Sequence, residues 1–166
     1  MTFTESFLQE SERESAVTRK MLALVPADKF DWKPHEKSMT LKQLAVHVAE
    51  IHGWLDDVIK NEGLDFAAME YKPHPVSSNA DLMDHFEKCL TVGKEALSNT
   101  NDTVLTNETW TMRSGDVVHM SDTKLNVLRH CFCQVVHHRA QLGVYLRLLN
   151  IPIPGTYGPS ADDNTF

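Results

Sequence analysis

Two imidazoles and a guanidinium stand together at His137-His138-Arg139, followed by Ala140 and Gln141, inside a segment of helical apolar spacing from about Leu125 to Leu149. Neutral imidazoles bind transition metals and move protons near neutral pH. On an apolar helix they also cost free energy unless something pairs with them. Val127, Cys131, Gln134, His138, Gln141 and Tyr145 fall at helical steps of three and four and share one stripe. His130, His137 and Val144 form a neighbouring one. Roughly ninety residues upstream, His47 shares a face with Leu44, Ile51, Trp54 and Val58, while His52 lies further round beside Leu41, Val48 and Leu55. Facing helices of a bundle build metal and ligand sites from such groups. If these two helices pack, His47 meets the Gln134–His138–Gln141 row, and a cation held there by two or three ligands keeps positions open for water. The competing reading is that each imidazole is a polar group satisfied inside the core. Arg139 either extends its head to solvent or pairs with a carboxylate such as Glu50, Asp56 or Asp57. His35, His74, His85 and His119 lie outside this pattern and read as surface residues.

The elements that must position these groups are helical. A first helix is expected over about Thr4–Val25, stopped by Pro26. A second begins at a capping box, Thr40 with Gln43, and fades near Asn61 and Gly63. Residues 64–77 carry Pro73 and Pro75 and read as a connection with one helical turn at Phe66–Met69. A third helix is expected over Asn79–Ser98, then a polar turn over Asn99–Thr103. Around Ser114-Gly115-Asp116 the pattern changes period, as a short hairpin or an irregular loop does. The last helix begins after Ser121 or Asp122 and runs to Leu149, and Asn150–Phe166, rich in Pro and Gly, is a tail. The fold class expected is all-α, a four-helix bundle with long connections and a possible β-hairpin before the last helix, in one domain over residues 1–166.

Composition narrows the function classes. The chain has 42% hydrophobic and 23% charged residues, an ordinary globular balance. A formal charge of −7 with scattered Lys and Arg argues against nucleic acid or an anionic membrane as partner. No apolar run approaches the roughly 20 residues that cross a bilayer, and the acidic start MTFTESFLQE does not read as a signal peptide. A cytoplasmic location is expected. The three cysteines, Cys89, Cys131 and Cys133, suit a reducing compartment. Cys131 and Cys133 point about 200° apart on a helix and cannot grip one metal together.

The run Leu44-Ala45-Val46-His47 with Trp54, the stretch from His137 through Leu149, and Ile151-Pro152-Ile153-Pro154-Gly155-Thr156-Tyr157-Gly158-Pro159-Ser160-Ala161-Asp162 resemble the DinB (damage-inducible) family, related to thiol-dependent S-transferases and to mycothiol-dependent maleylpyruvate isomerase. The resemblance implies a divalent metal, nickel or zinc, held by one His of the second helix and a His-x-x-x-His pair on the last. Carried over, these are His47 and His138, and the first member of the pair falls on Gln134, a departure. An amide oxygen replaces imidazole poorly at such a metal, so ion affinity is expected to fall steeply. His137 is the further candidate ligand, and Gln141, Tyr145 and Trp54 are expected to face substrate. Two functions follow. One is a metal-dependent transferase acting on a low-molecular-weight thiol, the metal presenting the thiolate to an electrophile. The other is a non-enzymatic, stress-related helical module with a degraded metal site, binding a small molecule or a partner. A homodimer is expected in either case.

Overall fold

A computed structural model describes residues 1–70 and 72–164 of the 166-residue chain. Among the described residues five α-helices form: α1 (Phe3–Leu22), α2 (Leu41–Lys60), α3 (Asn79–Ser98), the short α4 (Asp102–Asn107) and α5 (Lys124–Leu148). Three strands, β1 (Gly63–Asp65), β2 (Thr109–Ser114) and β3 (Val117–Thr123), make one small sheet. Each long helix starts on a hydroxyl cap. Thr2, Thr40 and Ser78 close capping boxes with Glu5, Gln43 and Asp81, and Thr123 accepts from the Asn126 amide. The Asp102 carboxylate also accepts from the Phe3 and Thr4 amides at 3.0 and 3.1 Å, so α4 satisfies orphan donors at the start of α1.

The four long helices share one interior. α2 packs against α3 and α5, and α1 against α3 and α5. One half of the core joins Met21, Leu22, Leu41, Leu44, Leu82, Phe86, Leu142 and Leu146. The other joins Ile51, Leu55, Val58, Leu97, Val127, Leu128 and Val135. The C-terminal ends of α1 and α5 therefore meet the N-terminal ends of α2 and α3, so α1 and α5 run one way and α2 and α3 the other. Neighbours as close as α2 and α3 need a small residue between them. A Cβ on Gly93 would lie 2.1 Å from the His52 carbonyl oxygen.

Because α2 and α3 are parallel, the chain must travel back between them, and residues 61–78 do so. The turn expected at Phe66–Met69 is present over residues 66–68, where the Ala68 amide donates to the Asp65 carbonyl at 3.1 Å. It follows an unexpected strand, β1, which pairs in parallel with β2, while β2 and β3 are antiparallel. The sheet is thus larger than the hairpin the sequence predicts, and the fold is mainly helical rather than purely so. A Cβ on Gly63 would sit 2.1 Å from the Thr111 carbonyl oxygen, so only glycine lets β1 approach. Gly115, at φ 59°, turns the hairpin, and its amide donates to Asp65 Oδ1 at 2.9 Å. The polar turn expected after Ser98 gives way to α4, capped by Asn101. Beyond α5 the chain is irregular through residue 164, and Thr165 and Phe166, the end of the expected tail, lie outside the described residues. Among the described residues no helix is long and apolar enough to cross a membrane.

Candidate functional site

α2 and α5 pack side by side and bring His47 and His138 together. Their ring centroids are 4.4 Å apart, nearly perpendicular at 83°. Trp54, two turns along α2, sets its ring 5.2 Å from His47. His47 Nδ1 lies 3.3 Å from Glu50 Oε1, an i, i+3 pair in which a half-buried carboxylate fixes the ring orientation. Glu50 was one of three carboxylates, with Asp56 and Asp57, that the sequence offered to Arg139. Its actual service to His47 was readable from the helical spacing, because i and i+3 neighbour each other on one face.

The row on α5 is real and is closed by its own hydrogen bonds. His138 Nε2 stands 2.9 Å from Gln134 Oε1, and His138 Nδ1 stands 2.9 Å from Gln141 Oε1. Gln134 Nε2 continues to His130 Nε2 at 3.3 Å, and Gln141 Nε2 to His137 Nε2 at 3.2 Å. Both nitrogens of His138 thus face amide groups. A neutral imidazole has one N–H and one lone pair, so the neutral ring requires one glutamine to turn its NH2 toward it. Partial burial, together with the charges of His47 and His137, holds the His138 pKa below its ordinary value despite the Gln141 hydrogen bond. The neutral ring, with a lone pair to give, is therefore the form favoured near pH 7.

The other expected residues divide. His137 is exposed and stands edge-on to His138 at 4.8 Å, next to the His47 contact rather than in it. Tyr145 leaves the row: its ring packs edge-on against Trp32 at 5.7 Å and its hydroxyl donates to the Met39 carbonyl at 3.2 Å. Arg139 corrects the sequence expectation. It neither reaches solvent nor pairs on α2, but lies buried against α1 with Glu14. His52 stays apart from the site, buried against Phe86 with neither ring nitrogen hydrogen-bonded. Cys131 is buried and Cys133 exposed, as their opposed directions require.

The donors at hand for a cation are two imidazoles and the Gln134 amide oxygen. Among the described residues, no group of three or more His, Cys, Asp or Glu side chains is arranged to hold a metal ion. Two imidazoles, one oriented by a carboxylate, fit a divalent transition ion bound weakly, and the ion has to compete with the row's own hydrogen bonds. An open recess of about 480 Å³ between α1 and α5, lined by Phe7, Phe132, Val136, Arg129 and His137, does not include His47 or His138. His47 and His138 lie half-buried along the seam between α2 and α5.

No curated protein matches the chain. Among solved structures, a DinB-like protein from Bacillus cereus is 25% identical, with 92% of this chain and 97% of that one covered and a TM-score of 0.70. A DinB-like protein from Bacillus subtilis shares 18% identity over 91% and 97%, again at a TM-score of 0.70, and shows the same fold. The sequence pattern that defines the DinB family matches residues 1–165, which include α2, α5 and the histidine seam between them. The chain belongs to the DinB family.

Proposed function

We propose that this DinB-family chain, a single four-helix unit over residues 1–166, binds a divalent transition ion, nickel or zinc, at the α2–α5 seam and acts there as a transferase on a low-molecular-weight thiol. The observation that carries the reading is the 4.4 Å approach of the His47 and His138 rings. His47 and His138 supply the imidazole nitrogens and Gln134 a weak oxygen donor. Such an ion, when bound, acidifies a thiol or water that meets it. The chain's own residues do the rest. Glu50 fixes the His47 ring, Gln141 holds His138 from the far side, and Trp54 walls one side of the seam. A cytoplasmic homodimer remains part of this reading.

Nickel titration of tag-free protein, followed by thermal unfolding, tests it. At an ion concentration a hundredfold above Kd, stabilisation should be about 2.7 kcal/mol. That is a rise in Tm of roughly 5–10 °C for a chain of this size. The rise should vanish in His138→Ala. A shift that survives in that variant, or no shift in the wild type at millimolar nickel, overturns the reading.

A second reading is favoured by Gln134 and by the closed hydrogen-bond row it helps to form: a non-enzymatic, stress-related module in which the ion site has been given up. His47→Ala then costs little stability, and no thiol-dependent turnover appears against any electrophile. A thiol-conjugating rate that His47→Ala abolishes decides for the transferase.

A further inference from the structure

The recess between α1 and α5 has a direction. Phe7 of α1 stacks on Phe132 of α5, with centroids 5.6 Å apart and planes within 14°. Seven residues further along each helix, Glu14 pairs with Arg139. The two helices therefore run parallel and stay in register across the recess. Arg129 and Glu10 both line it. At a rise of about 1.5 Å per residue, Arg129 lies about 4.5 Å before the ring pair and Glu10 about 4.5 Å after it. The floor is aromatic, one end is cationic and the other anionic. Tyr157, on which the Glu10 charge acts, stands at the anionic end.

A face with that polarity is its own complement. We propose that it is the contact between two copies of this chain, packed antiparallel about a two-fold axis that lies in the face and crosses both helices at the Phe7–Phe132 level. Rotation about that axis brings Glu10 of each copy level with Arg129 of the other and lays the two ring pairs together at the centre. Exposed Cys133, one residue from Phe132, then lies close to its own counterpart. A parallel copy is disfavoured, because it sets Arg129 against Arg129 and Glu10 against Glu10.

The charge balance of the molecule points the same way. Each copy carries −7, so two copies repel unless they meet where charge is low or matched. α5 has no Asp or Glu from Lys124 to Leu148. Of its four cations, Lys124 and Arg139 are buried and Arg147 pairs with Asp162, so Arg129 is the one it presents to the recess. An aromatic centre between charged pairs is also the usual anatomy of a protein interface, in which the apolar core supplies affinity and the outer pairs fix register. The face lies on the α1 side of α5, away from the α2–α5 seam. The inference rests on the homodimer of the proposed reading but not on its ion.

Sedimentation of the full-length, tag-free chain with a chelator and a reductant tests it, over protein concentrations of about 1–100 μM that bracket a micromolar Kd. The wild type should pass from monomer to dimer in that range. Glu10→Arg and Arg129→Glu each set like charges together at both ends, and each should weaken dimerisation about tenfold or more. The double variant restores opposite charges and should return to within about threefold of wild type. Circular dichroism checks that all three variants keep the fold. A short bifunctional maleimide should join two wild-type chains through Cys133, because burial pushes the Cys89 and Cys131 thiols up to about 11 and about 12 and slows them. Cys133→Ser should lose that product. A monomer throughout the range leaves the recess to a small ligand and overturns both this proposal and the homodimer. A dimer that ignores the single variants, is not restored by the double one or never cross-links at Cys133 overturns this interface alone.

Discussion

His138 and Arg139 are adjacent in sequence and about 100° apart round α5, and that rotation puts them in different media. His138 is half-buried in a row whose hydrogen bonds run along the helix, from His130 to Gln134 to His138 to Gln141 to His137. Arg139 is 2% exposed, and its contacts run across helices. Its Nη1 donates to the Glu14 carbonyl and to Thr18 Oγ1, each at 3.1 Å, and lies 2.6 Å from Glu14 Oε2. The guanidinium also faces the Tyr157 ring at 5.9 Å, while the Tyr157 hydroxyl donates to the other Glu14 oxygen. A row along one helix can exchange partners without moving the backbone, so it suits a site that admits a ligand. A pair locked between α1, α5 and the tail cannot, and suits an anchor.

The largest effect should come from breaking the anchor. Arg139→Met leaves the Glu14 carboxylate buried with its charge partner gone, and should cost about 3–5 kcal/mol in urea unfolding. Removing the charge from both sides, with Glu14→Leu added, should recover most of that loss, because neither desolvated ion is then left behind. His138→Ala without metal should stay within about 1 kcal/mol. If Arg139→Met costs no more than His138→Ala, the contrast between the two faces is wrong.

Next in size is an acid effect from His52, which belongs to neither region. Its ring is buried against Phe86 and faces three charges: Arg139 on α5, Arg19 on α1 and Glu87 on α3. Burial first, then the two arginines, push its pKa down to about 4. The unfolded chain, with its ring near 6.5, takes up the proton first. Stability is therefore complete above about pH 6.5 and is lost as pH falls toward 4, by about 3 kcal/mol. His52→Leu should flatten that part of the stability curve, measured by urea unfolding at several pH values. A variant that keeps the wild-type slope assigns the acid sensitivity to carboxylates such as Glu87 in its pair with Arg19.

What the sequence made legible follows the range of the interaction. Capping boxes at Thr40 and the helical period of Asn79–Ser98 are local, and both stand as read. His47, Gln134, His138 and Gln141 lie on the faces read for them because a period of 3.6 residues fixes which side chains share a face. The Arg139 partner was not legible. Glu14 is 125 residues away, and the α1 stripe that receives the guanidinium, with Ser11, Glu14, Ser15 and Thr18 buried, carries no apolar signal to betray it. β1 has three residues and exists only because β2 offers an edge, so nothing local announces it. His85 read as a surface residue for a similar reason: its neighbour His74 arrives from a crossover with no periodicity.

The smallest change sharpens the comparison most. Gln134→His puts an imidazole one helical turn from His138, on the face that already meets His47. Without metal, the substitution removes one amide between His130 and His138 on a part-exposed face, so stability should move by no more than about 0.5 kcal/mol. With nickel, a third imidazole replaces an amide oxygen, and affinity by calorimetry should rise about 10- to 100-fold. Arg139, one residue from His138, should feel nothing, because its partners lie on α1. An affinity gain below twofold would mean that the row does not face the ion, however close its rings are. A loss of stability comparable with Arg139→Met would mean that the row is itself an anchor and the two faces of α5 do the same work.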